Sequence, residues 1–473
     1  MDPKHLLSKW SDKHIDEFIE VYQTMATANE NAKAKAYERD LASIAYEHLV
    51  EANQYISTKL ITNKHTLRPS VIGFQSKTKS EFLSESVGKG SSTFFFPKEI
   101  HDSIVETQNK FFVEYPLFEI TPEKKVRIQF VVVLDDGTTE EGTGEKKADP
   151  KNIEAIFNER VKYIYMWIYI ASKYSTGLFC SSEEINLCFH FTEFFKEIPS
   201  SFEEIISTKN VNTGFTTPCA YGNDITIYRK EEWFKVFLHE SFHHFGLDFA
   251  TATKQDLEEA RRSSGFDDLF KGIQSDFLLF ETYTEIWADL WNVMFCCFYS
   301  NSSNSSSSLS SSSSTKKSFV EDTTASIELE REFAIFQCAK VLKHNQLESW
   351  EQLISDNPAA VEFKRNHYKE KTNVFVYYIA RAALFYNLEE LLHFCRRRHG
   401  VGEGKAWWVF SGSSTSSKSI VLFLEIIVRN AKDPGMANLV DKYLDFLIRR
   451  GHSSSSDQMI ILKTLRMTLF DFL

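Results

Sequence analysis

Polar residues recur at a helical interval inside one of the most apolar stretches of the chain. From Phe277 to Tyr299 the sequence reads FLLFETYTEIWADLWNVMFCCFY, and Glu281, Glu285, Asp289 and Asn292 fall on one stripe of a helix. A shorter run, Trp233 to Phe245, has the same character. Trp233, Phe234, Val236, Phe237, Leu238, Phe242 and Phe245 flank a few polar positions, and Gly246 follows as a helix C-cap. Three stretches upstream have strand character. Lys125 to Leu134 is β-branched and ends at Asp135-Asp136-Gly137; Glu184 to Thr192 alternates; Asp224 to Arg229 leads almost directly into the second helix. Between the first two strands, Asn152 to Tyr174 reads as an aromatic-rich amphipathic helix. Asp12 to Leu60 reads as one or two helices, and Ser326 to Leu342, Val361 to Tyr386 and Leu388 to Arg398 as others. Asn63 to Pro122 shows no dominant period. The pattern predicts an α+β protein with mainly helical N- and C-terminal regions. The expected divisions are residues 1–122, a mixed region 123–299, a Ser/Asn-rich linker 300–318 and a helical region 319–473. The linker is expected to be disordered, because it has no apolar surface to bury.

The polar positions of the shorter helix spell His239-Glu240-x-x-His243. Residues four apart on a helix lie one above the other, so the two imidazoles can close on one Zn2+. Glu240 is rotated by about 100°, which suits a base that takes a proton from water and passes it to a leaving amine. A catalytic zinc needs a third protein ligand. The stripe on the longer helix offers three carboxylates four apart, which repel one another unless a cation or proton intervenes. Glu285 is the expected ligand, Glu281 its rival, and Asp289 the expected acceptor of a hydrogen bond from a ligating histidine. His244 is turned off the ligand face and is expected to be structural.

These two helices together resemble the gluzincins, zinc metallopeptidases that pair HExxH with a downstream Glu. The resemblance covers about Val126 to Tyr299. It implies a zincin-like core, a small twisted sheet packed on the HExxH helix, with substrate added to a sheet edge formed by Asn210 to Gly222 or by the strand after it. It also implies His239, His243 and Glu285 as ligands, Glu240 as base and Asp289 as the orienting acid. Such enzymes place a Tyr or His near the oxyanion; Tyr378 is the candidate taken here, beside Tyr377 and His367. A metzincin pattern fits less well, since Phe249 stands where its third ligand would be and Asp248 lies one residue early.

Composition narrows the class. Hydrophobic residues make up 42% of 473 positions, so a sizeable core is expected. A net charge of −11 argues against nucleic-acid or anionic-membrane partners; a peptide or protein substrate is what the gluzincin resemblance implies. The three acids in Phe277–Tyr299 argue against a membrane span. Seven cysteines without CxxC spacing read as reduced thiols, hence a cytoplasmic location. His190, alone in an apolar strand, is expected to be a core residue. Two alternatives stay open. One is a di-iron carboxylate protein using Glu240-x-x-His243 and Glu390-x-x-His393; the other is a non-catalytic metal-binding or interaction protein.

Overall fold

The computed structural model describes residues 9–25, 35–62, 67–74, 96–107, 110–133, 150–175, 183–217, 224–303, 313–399, 406–410, 417–450 and 459–471. It is a mixed α+β protein with one six-stranded sheet among the described residues. The strands are β1 (Val71–Phe74), β2 (Lys110–Thr121), β3 (Lys124–Val133), β4 (Glu184–Phe191), β5 (Gly214–Phe215) and β6 (Asp224–Ile227), in the order β1-β2-β3-β4-β6-β5. β1, β2 and β3 are antiparallel neighbours, β3, β4 and β6 run parallel, and β5 closes the edge antiparallel to β6. The chain divides into two compact units. The sheet unit takes residues 47–195 and 212–247; the helical unit takes 1–46, 196–211 and 248–471. These divisions do not coincide with the linear boundaries at 122, 299 and 318 expected from the sequence.

In the sheet unit the three expected strands and the helix Pro150–Tyr174 are present. β1, β2 and β5 are additions. β2 escaped the sequence pattern because Pro116 interrupts it, and a proline argues against a strand interior. The register between β2 and β3 shifts between Tyr115 and Phe118, so the proline sits at an irregularity where its missing N–H costs no regular ladder bond. β4 is buried on both faces. One face carries Phe189 and Phe191, which meet Phe130 and Trp233 in aromatic contacts; Phe189 lies 5.4 Å from Trp233 and 5.9 Å from Phe237. This is the face that holds the HExxH helix, Trp233–Phe245. Trp167 of the helix Pro150–Tyr174 stacks on Phe242 at 5.6 Å. Gly214 lets the sheet edge come close, because a Cβ there would meet Thr226 O at 2.9 Å and Val236 Cγ1 at 3.0 Å. Phe96, Ile100, Ile104, Val133 and Tyr228 form a separate cluster.

The helical unit differs from expectation in two places. The expected helix Val361–Tyr386 is broken into an α-helix Pro358–His367, a π-helix Phe375–Ala380 and an α-helix Arg381–Tyr386. The break has a polar cause: the Glu370 carboxylate accepts the Phe375 N–H at 2.7 Å and the Tyr368 hydroxyl at 2.9 Å. The Ser/Asn-rich linker is also shorter than 300–318. The acidic helix, Leu279–Ser303, runs into it from one side and the helix Ser313–His344 from the other. Residues 304–312 lie outside the described residues. No described helix is long and apolar enough to cross a membrane.

Gly246 ends the HExxH helix at φ 63° and ψ 39°, with Leu247 N–H bonded to Phe242 O at 2.9 Å. A side chain is strained in this left-handed conformation. Gly246→Ala is expected to lower stability by about 1–2 kcal/mol, read as an earlier urea midpoint; an unchanged midpoint would show that the cap bears no strain.

Candidate metal centre

The HExxH helix is buried along its whole length. The sheet aromatics and Trp167 cover its apolar residues. Its few polar side chains are therefore held in a poorly solvated place. His239 and His243 keep only 6% and 5% of their surface. Their Nε2 atoms face each other at 3.1 Å, with the rings nearly perpendicular at 82°. Ser241, on another side of the helix, bonds back to Phe237 O at 2.6 Å. Glu240 is buried as well, and its charge helps push the Tyr228 phenol upward, after burial itself.

The acidic helix separates its three carboxylates by their surroundings. Glu285 and Asp289 are buried. Asp289 Oδ2 makes an ion pair with Arg381 Nε at 2.7 Å, and the charge of Glu285 also acts on Arg381. The expected role of Asp289, an acceptor for a ligating histidine, gives way to this pairing with a cation. Glu285, the expected third ligand, shares that guanidinium's field. Glu281 lies one turn nearer the start of the helix and is only partly buried. Its Oε2 accepts the hydroxyl of Tyr377 at 3.2 Å. That tyrosine sits on the π-helix, and such irregular turns are frequent at functional sites.

The other candidates have settled partners. Tyr378, taken from the sequence as the oxyanion donor, is fully buried and donates its hydroxyl to Leu465 O at 2.6 Å. Its place in the π-helix turns it into the helical unit, so the assignment is corrected to a structural role. The neighbouring Tyr377 is the one that reaches an acid of the stripe. His367 bonds its own helix through Phe363 O at 2.9 Å. Asp248 accepts Ala250 N–H and the Thr284 hydroxyl, both at 2.9 Å. His190 contacts Cys188 Sγ through Nε2 at 3.1 Å, and burial pushes it down to about 4, as fits a neutral core residue. Burial likewise lowers His244 to about 4, and neither of its ring nitrogens has a hydrogen-bond partner among the described residues. Glu390 is engaged by Arg429 and Asn387, and His393 stacks against Tyr37.

The histidine pair suits a zinc ion. Two nitrogens bound tetrahedrally at the usual Zn–N distance lie about 3.3 Å apart, close to the 3.1 Å observed. Two neutral imidazoles facing through the same atoms can otherwise share only one proton. Against family models, curated proteins and solved structures, the chain finds no match.

The π-helix that carries Tyr377 begins at the Glu370 contact. Burial raises the Glu370 carboxyl from 4.5 to about 7. The folded state therefore binds this proton more tightly than the unfolded chain, and the stability it confers is full at low pH and is lost as pH rises from about 4.5 through about 7. Thermal midpoints of Glu370→Gln across pH 4 to 8 are expected to show a flatter decline than the parent chain; identical slopes would remove Glu370 from this role.

Proposed function

We propose that this chain is a zinc-dependent peptidase, with His239, His243 and Glu281 as metal ligands and Glu240 as general base. One observation carries the reading. His239 and His243 bring their Nε2 atoms to 3.1 Å of each other on one buried helix. The ligand set of two histidines and a glutamate is one that catalytic zinc uses, and it leaves a position open for substrate. Glu281 is taken in place of Glu285 as the third ligand because Asp289 pairs with Arg381 and Glu285 lies in the field of the same guanidinium.

The mixed sheet with the HExxH helix against it supports a zincin-like core. Zn2+ at this centre would supply Lewis acidity toward a peptide carbonyl and lower the pKa of water. The protein's own part is positional. The aromatic packing around Phe189, Trp233 and Trp167 fixes the helix and keeps the two imidazoles converged. Glu240, one residue after the first ligand, takes the proton from the attacking water and returns it to the leaving amine. Tyr377 holds Glu281 through its hydroxyl. The partner is a peptide or protein. The compartment we propose is the cytoplasm, because the described cysteines are all unpaired and buried.

Elemental analysis tests the ligand set and peptide hydrolysis tests the chemistry. About one zinc per chain is expected, lost in His239→Ala and in Glu281→Gln but kept in Glu285→Gln. Glu240→Gln should keep its zinc and lose about 100- to 10,000-fold in turnover. Zinc surviving Glu281→Gln would return the third ligand to Glu285, and full activity in Glu240→Gln would end the peptidase reading.

A further inference from the structure

The stretch Thr464–Phe470 has no regular structure beyond a single bridge from Thr464 to Glu197, yet all of its side chains are buried. Irregular backbone in an interior must find hydrogen-bond partners, because unmatched peptide groups are costly there. Lys196 O accepts the Leu465 N–H, and the further partners are side chains of the surrounding helices. Lys340 donates to Ile461 O at 2.7 Å and to Thr464 O. Tyr378 donates to Leu465 O at 2.6 Å, and Arg381 to Met467 O. Glu330 accepts Leu469 N–H at 3.0 Å and the Thr468 hydroxyl at 3.2 Å. Asn292 donates to Phe470 O at 2.8 Å. The helices hold this segment as a receptor holds an extended peptide.

Two of these grips lead to the acidic helix. Asn292 belongs to it, and Arg381 joins Met467 O to Asp289. Asp289 stands about 12 Å along the helix from Glu281 at 1.5 Å per residue. A helix of this length moves as a stiff body, so whatever fixes Asp289 and Asn292 also fixes Glu281. Without the segment, Arg381, Lys340, Glu330 and Asn292 would lose bonds inside an apolar interior, and restoring their hydration would mean opening the helices.

We propose that Thr464–Phe470 is a positioning element: an internal peptide that locks the acidic helix through Asn292 and Arg381 and so presents the Glu281 carboxylate. The functional half of this inference rests on the zinc reading; the mechanical half does not.

The test uses the full-length chain with two readouts, amide hydrogen exchange and zinc affinity. Tyr378→Phe removes one grip and leaves packing intact. It should speed exchange along the acidic helix about 5-fold, the worth of one hydrogen bond, while β3 and β4 exchange as before. Leu465→Asp with Leu469→Asp places two charges in the interior and should expel the segment. Exchange in the acidic helix should then rise further and the zinc dissociation constant about 10- to 100-fold. A synthetic peptide of residues 463–473 added in trans should reverse both effects. Unchanged exchange of the acidic helix in Tyr378→Phe overturns the proposal, even if the double variant fails to fold. A loosened acidic helix with unchanged zinc affinity overturns its functional half and shows that Glu281 is not a ligand. A parent chain that binds no zinc ends the zinc reading, and the exchange data still decide the mechanical half.

Discussion

One guanidinium answers the charge of several acids in the interior of the helical unit. Arg381 is fully buried, with Asp289 at 2.7 Å and Glu330 at 3.5 Å, and it also feels the charge of Glu285. Removing charges from water costs several kcal/mol per ion, and attraction offsets that only when the geometry is good and the remaining atoms are bonded. The arrangement meets this condition by recruiting backbone. Met467 O takes one arm of the guanidinium, and Leu469 N–H and the Thr468 hydroxyl satisfy Glu330. Glu330 is shifted upward, by burial first and by the charge of Asp289 second, which favours a bound proton and removes a negative charge from the cluster. The acid stripe, the π-helix junction and the C-terminal segment thus depend on one another through this residue.

The sheet unit solves a different problem. Its HExxH helix needs a rigid apolar bed, yet its polar side chains must converge without much water. Aromatic rings from β3, β4 and the helix Pro150–Tyr174 provide the bed. Large flat side chains bury much area and stay in few rotamers, so the backbone beneath the histidines is well fixed. The 3.1 Å approach of the two Nε2 atoms follows from the four-residue spacing and from rotamers that the packing allows. The same burial keeps His190 and His244 neutral. What sets His239 and His243 apart from these buried histidines is that their ring nitrogens converge.

Much of the frame was legible because local patterns and burial agreed. The periods of Lys125–Leu134, Glu184–Thr192 and Asp224–Arg229 gave three strands within a residue or two, and Gly246 marked a true helix end. β2 was hidden by Pro116, whose tolerance depends on a register shift that only the partner strand reveals. The break before Phe375 was hidden because Glu370 makes it by reaching five residues ahead to a main-chain N–H. Tyr377 and Tyr378 are neighbours in sequence, and their spacing cannot say which hydroxyl meets Glu281 and which meets Leu465 O.

The sequence by itself determined that His239 and His243 share one helix face, since a four-residue interval on one helix is a local property. It also determined that the acids of the second helix share a stripe, for the same reason. It did not determine the surroundings of each acid. Glu281, Glu285 and Asp289 are equivalent in spacing, and what distinguishes them is a cation more than ninety residues away and a tyrosine four residues before it. Tertiary structure decided those differences, because the electrostatic surroundings of a buried carboxylate are set by whichever distant side chains fold against it.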